Sequence, residues 1–205
     1  MSPTQIVLTV LVVLVIAAIA AAIAAAIAAA VVVAGRRRSL RQRFGPEYDH
    51  VVAEQDSRGA AERELRDRKR RHAELELIPL DPDARTRYAQ AWEELQVGFV
   101  DSPAETVGQA DELVSRLVAE RGYPTGEFDD RIAHLSVEHA RTLGHYRDAH
   151  EIHLRNSRGE ASTEDLRQAV VHYRALFADL LGGEPVAART PDQRHPDAAH
   201  DATNR

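Results

Sequence analysis

"IVLTVLVVLVIAAIAAAIAAAIAAAVVVAGRRR", Ile6 to Arg38, runs 29 residues with no polar side chain but Thr9, passes Gly35, then meets three arginines. As an α-helix, the 29 residues from Ile6 to Ala34 extend about 43 Å, against roughly 30 Å of bilayer hydrocarbon. Tilt accommodates the excess. Ile6 to Ile16 is rich in Val, Leu and Ile and supplies most of the insertion energy. Ala17 to Ala34 holds twelve alanines, excellent for helix but only weakly favourable in lipid. A soluble helix needs a polar face, and this stretch has none. The reading is a transmembrane helix over 6–34, preceded by a short tail, 1–5.

A secretory signal carries a positive n-region and an apolar core of about 7–15 residues. Here no Lys or Arg precedes the run, and the run is about twice that length, so we read an uncleaved anchor. The flanks set its orientation. MSPTQ has no basic side chain, whereas Arg36, Arg37, Arg38, Arg41 and Arg43 crowd the other end. By the positive-inside rule the N-terminus lies outside and the rest of the chain faces the cytoplasm, at the inner membrane of the cell. The same arginines would lie against anionic headgroups. Ile16, Ile19, Ile23 and Ile27 form a ridge flanked by alanine strips, which would let two copies pack as a homodimer.

The chain has no cysteine, which excludes disulfides, thiolate catalysis and cysteine-based metal sites. Its net charge is −6; setting aside the five juxtamembrane arginines leaves 21 basic against 32 acidic residues, or −11, from Phe44 onward. A domain that acidic is a poor nucleic-acid binder, and we expect no nucleic-acid partner.

Everything after the membrane reads helical. The expected organisation is a basic juxtamembrane linker at 35–46, a helical domain at 47–182 and a disordered tail at 183–205, rich in Pro, Asp, Ala and His without periodicity. Gly45-Pro46 marks a break outside the bilayer. A charged helix follows from about Arg58 to Glu76, with Ala61, Leu65, His72 and Leu75 as its apolar stripe, and Pro79 ends it. Asp81-Pro82 supplies an N-cap and a first-turn proline, and Ala84, Tyr88, Ala91, Trp92, Leu95 and Phe99 continue at three-four spacing. Ser102-Pro103 repeats the device, with Glu105 expected to close a capping box, and Gly122 stops that helix. A short helix around Phe128, Ile132 and Leu135 leads to Ser136, read as the cap of a longer helix to about Ser157. The last helix is capped at Ser162 or Thr163 and places Leu166, Ala169, Val170, Tyr173, Phe177, Leu180 and Leu181 on one face. No stretch shows strand alternation, so the fold class is all-α: a transmembrane helix followed by an antiparallel helical bundle.

"RFGPEYD", Arg43 to Asp49, "RGYP", Arg121 to Pro124, "LSVEH", Leu135 to His139, and "GEASTEDLRQAVVHYRALFADLL", Gly159 to Leu181, occur in that order. They resemble a group of uncharacterised single-pass membrane proteins, sometimes labelled secreted, of actinobacteria and other high-GC bacteria. The resemblance spans nearly all of Arg43 to Leu181 and implies a membrane-anchored helical protein. It carries across no catalytic or ligand-binding residue.

Three stretches hold residues that can do chemistry. "HYRDAHEIH" places His145, His150 and His153 with Asp148 and Glu151 on one helix, and His150 and His153, one turn apart, could share a metal. The spacing is neither that of the zincins nor of di-iron bundles. The simpler reading is a half-buried stripe of hydrogen-bonded histidines, and we expect no resident metal and no cofactor. His172-Tyr173-Arg174 interrupts an apolar face, with Tyr173 at the edge of the core and its hydroxyl reaching a neighbouring helix. "FGPEYD" gives an exit angle at Gly45-Pro46, with Phe44 and Tyr48 either as aromatic anchors at the headgroups or as part of a partner-binding turn. "RDRKRR", Arg66 to Arg71, is interleaved with acids and reads as a solvated, ion-paired face.

With no Gly-rich phosphate loop, nucleophile elbow or Ser-His-Asp set, the sequence does not read as an enzyme. It leads to a membrane-anchored interaction or adaptor module with an unidentified protein partner. The alternatives are the same bundle exported and tethered in the envelope, or a metal-binding sensor or enzyme built on His145, His150 and His153.

Overall fold

The computed structural model describes residues 3–182, so the expected disordered tail at 183–205 lies outside the described residues. The chain is all-helical there: α1 Pro3–Phe44, α2 Pro46–Glu54, α3 Arg58–Ala73, α4 Pro82–Gly98, α5 Pro103–Glu120, α6 Phe128–Leu135, α7 Leu143–Ser157 and α8 Thr163–Leu180. Among the described residues there is no strand. Helix α1 is long and apolar enough to cross a membrane. Its ridge residues Ile16, Ile19, Ile23 and Ile27 are each more than half exposed, touched by little else in the chain.

The stretch expected as a linker is helix. Its arginines and serine follow the alanines without a proline before Pro46, so nothing ends α1 until Gly45. Gly45 takes φ +46° and ψ −125°, a conformation open to glycine alone, and Pro46 starts α2 at once. The tail expected at 1–5 is likewise helical from Pro3.

Two apolar clusters hold the domain. In the larger, α8 packs between α5 and α7, and α4 closes on α5. Leu117, Leu135, Leu143, Tyr146, Tyr173, Leu176 and Leu180 are all fully enclosed there, and Trp92 stacks on Phe177 at 4.6 Å. The smaller cluster lies where α1, α2 and α3 meet and comprises Leu40, Phe44, Tyr48, Val51, Ala61 and Leu65, with Val137 from the connector after α6.

Most punctuation reads as expected. Asp81 accepts from the Ala84 amide at 2.7 Å, and Ser162 and Asp165 form a reciprocal capping box. Gly122 stops α5 at φ +84°, where a Cβ would lie 2.6 Å from the Glu76 carbonyl oxygen. Two caps differ. The Ser102 side chain makes no cap bond, and Glu105 accepts from Gln109 at 3.1 Å instead. Ser136 does not open a helix: it closes α6, its hydroxyl donating to the Ala133 carbonyl at 2.6 Å. Ser136, Val137, His139, Ala140 and Thr142 are all buried, and this inward-packed connector delays α7 until Leu143. It is tied to α8, with His139 Nδ1 at 2.9 Å and Thr142 Oγ1 at 3.0 Å from Asp179 Oδ2. The Tyr123 hydroxyl meets His139 Nε2 at 3.2 Å, so residues of RGYP, LSVEH and the last helix share one network.

Candidate functional site

The juncture below α1 is built by a stripe that continues through the Gly45 turn. Leu40, Phe44, Tyr48 and Val51 recur at three-four spacing, and the turn brings them onto Ala61 and Leu65 of α3. Phe44 is 0% and Tyr48 1% exposed. Neither is an aromatic anchor at headgroups nor a partner-facing side chain; the turn folds both inward, leaving Pro46 and Asp49 of that stretch on the surface.

Two carboxylates go in with them. Glu47, 2% exposed, accepts a bidentate pair from Arg147 of α7 (Nη1 to Oε2 2.8 Å, Nη2 to Oε1 2.7 Å), and Arg68 of α3 donates to Oε1 at 3.0 Å. Bidentate, charge-assisted geometry of this kind makes strong hydrogen bonds. Glu62 accepts from Arg37 Nε at 2.8 Å and from the Tyr48 hydroxyl at 3.0 Å, linking α1 to α3 directly. Burial, with Glu62 beside it, raises the pKa of the Tyr48 hydroxyl. Arg68 thus leaves the solvated set expected for Arg66 to Arg71, while Arg70 and Arg71 remain surface partners of Asp67 and Glu64.

The expected flank arginines, Arg36, Arg37, Arg38, Arg41 and Arg43, all project from α1 and are exposed. Beside them opens a cleft of about 740 Å³. Ala30, Val33 and Ala34 line its apolar part, and Arg37, Arg38, Arg41 and Arg58 its basic part, with Gln42 and Tyr48. Arg41 reaches Asp49 at 3.1 Å and lies over the Tyr48 ring at 5.0 Å. Among the described residues, Arg38 and Arg58 have no carboxylate at ion-pair distance. Arg58 was not visible as a site residue in the sequence, since only the turn back through α2 carries it to the foot of α1.

The three histidines of HYRDAHEIH do not converge. His150 stacks on Phe128 at 3.9 Å, with Nδ1 3.5 Å from Asp111, and His153 lies beside Gly108. These two join the half-buried stripe with the enclosed Tyr146 and Ala149. His145 instead meets His172 of α8, Nδ1 to Nδ1 at 2.8 Å, and Asp148 completes a group whose ligand atoms lie within 4.8 Å of one another. Two imidazoles and a carboxylate are a donor set for Zn²⁺ or other first-row transition metals. His145 and Asp148 also line a second cleft, of about 330 Å³, with Glu47 and Arg147. Tyr173 is enclosed, and its hydroxyl donates to Asp111 on α5 at 2.7 Å. That bond and the nearby His150 hold the Asp111 carboxyl below its usual range, against the opposing effect of its burial.

His72, His134 and His172 all have lowered pKa values, in each case chiefly through burial, and for His172 the neighbouring His145 adds to it. As pH falls through the ordinary imidazole range near 6.5, the unfolded chain takes up protons that the folded chain refuses, and stability drops. The expected result is a Tm that declines steadily from pH 7.5 to 5.5. His172→Gln would shallow that decline.

None of the family models, curated proteins or solved structures compared with the chain matches it.

Proposed function

We propose that this chain is a single-pass membrane protein that holds a helical interaction module at a fixed orientation against the cytoplasmic face. One observation carries the reading. The apolar helix continues through the arginines without a break, and its last turn, Leu40 to Phe44, is part of the domain's own core. A flexible tether would leave the module free to tumble. Here packing and the Arg37–Glu62 bond make the span and the domain one body, which suits presenting a defined surface to a partner in the same membrane plane. The arginine flank supports the cytoplasmic side, and the resemblance to single-pass proteins of high-GC bacteria leads to the same class. Val97 in the last turn of α4 and Val100 just after it, 75% and 84% exposed, are the most exposed large apolar side chains among the described residues, and we assign the partner surface to them.

The test is site-specific photo-crosslinking in native membranes from positions 97 and 100. A discrete adduct, to one protein or to a second copy, that disappears with Val97→Asp is the expected result. No adduct from either position would remove the interaction reading.

A second reading has the imidazole pair in its favour. If His145, Asp148 and His172 hold a metal, Zn²⁺ raises the Tm of the full chain and His172→Ala abolishes the increase. An unchanged Tm across Zn²⁺, Mn²⁺ and Fe²⁺ would exclude it.

A further inference from the structure

We propose that the cleft between the foot of α1 and the start of α3 binds one anionic phospholipid. The phosphate sits between Arg38 and Arg58, and the upper part of an acyl chain lies along Ala30, Val33 and Ala34. This rests on the reading that α1 crosses a bilayer, but it adds a defined site to a general attraction.

Three observations carry it. First, the cleft is amphipathic in the right sense: its apolar wall is the last part of the hydrophobic run, and its basic wall begins at Arg37, where the hydrocarbon would end. Second, its charges are unequally used. Arg37 is held by Glu62 and Arg41 by Asp49, so these two shape the wall. Arg38 and Arg58 are exposed and have no carboxylate at ion-pair distance among the described residues, which leaves two guanidiniums for an anion. A guanidinium pair suits the oxygens of a phosphate. Third, the volume of about 740 Å³ falls within the range of small-molecule sites and far exceeds what an inorganic phosphate fills. A headgroup with the start of its chain matches it.

The experiment uses the full chain in nanodiscs of phosphatidylcholine containing a minor fraction of phosphatidylglycerol, with bound lipid read by native mass spectrometry after release. Wild type is expected to retain phosphatidylglycerol at about one per chain. Arg38→Gln with Arg58→Gln would weaken retention about 100-fold, at roughly tenfold for each charge-assisted bond to the phosphate that is lost. Arg36→Gln with Arg43→Gln removes the same net charge from α1 outside the cleft, and because the diffuse surface potential of a mostly phosphatidylcholine bilayer is weak, it should leave retention within about twofold. Equal losses in the two double variants would overturn the site in favour of a diffuse basic surface. Displacement of the lipid by millimolar inorganic phosphate alone would overturn the lipid as occupant in favour of a soluble anion. Failure of the chain to insert into vesicles would remove the membrane reading itself. An inserted chain with no preference for phosphatidylglycerol would remove only the cleft.

Discussion

Glu47→Ala will lower the Tm of the full chain in detergent by about 10 °C or more, a loss of roughly 3–5 kcal/mol. The carboxylate is enclosed and accepts three charge-assisted bonds from Arg147 and Arg68, whose side chains are only 25% and 13% exposed. Removing it strands the Arg147 guanidinium in a partly dry site and leaves Arg68 with Glu64 alone, which costs far more than the net worth of the pairs. The accompanying expectation separates this from a general packing defect. Replacing Arg147 by methionine in the Glu47→Ala background should recover part of the loss, because the unpaired charge goes with it. A change below about 1 kcal/mol for Glu47→Ala would be the behaviour of a surface ion pair. That outcome would show that the network does not hold α2 to α7.

Phe44→Ala is expected to cost about 3–5 kcal/mol, but to spend it locally. Phe44 is completely enclosed by the smaller cluster, which is separate from the larger one around Leu117, Tyr146 and Tyr173. The cavity should therefore loosen the juncture of α1, α2 and α3 while α5, α7 and α8 keep their packing. Amide hydrogen exchange reads this directly. Protection should fall over Tyr48 to Val51 and Ala61 to Leu65, and stay within the wild-type range over Val114 to Val118 and Ala169 to Leu180. Uniform loss across both regions would mean that the two clusters unfold as one unit. Unchanged protection would mean that the juncture does not depend on Phe44. Under the proposed function, the local outcome would free the domain from its set orientation.

The helices were legible because their ends carry chemistry that acts within a few residues. Asp81 before Pro82, Ser162 before an acidic turn, and glycines at 122 and 159 specify boundaries whatever the tertiary structure does. Ser136 misled for the converse reason. A serine ahead of a helical pattern reads as an N-cap, but the connector that follows is drawn inward by His139 and Thr142 onto Asp179, a partner 40 residues further on. Phe44 misled through distance as well, and nothing in the sequence marks Glu47 until Arg147, 100 residues away, is placed over it. An aromatic beside arginines reads as a headgroup anchor until the Gly45 turn folds it under α3. The signal for Phe44 was nevertheless present in the spacing of Leu40, Phe44, Tyr48 and Val51, which continues a helical stripe through the break. His145 and His172 sit on different helices with ordinary surface neighbours in sequence, so their convergence needed the α7–α8 packing to become visible.

Which side of the membrane the domain occupies is directly measurable, because the chain has no cysteine. Ser162 is a poor position for a probe, because it caps α8 and its loss would cost about 1 kcal/mol. Gln90, exposed on α4 and outside both clusters and the proposed partner surface, accepts Gln90→Cys without disturbing the fold. Intact cells would be treated with a membrane-impermeant maleimide before and after lysis. Protection until lysis is the result expected for a domain held at the cytoplasmic face. Labelling in intact cells would contradict it and place the same rigid domain outside.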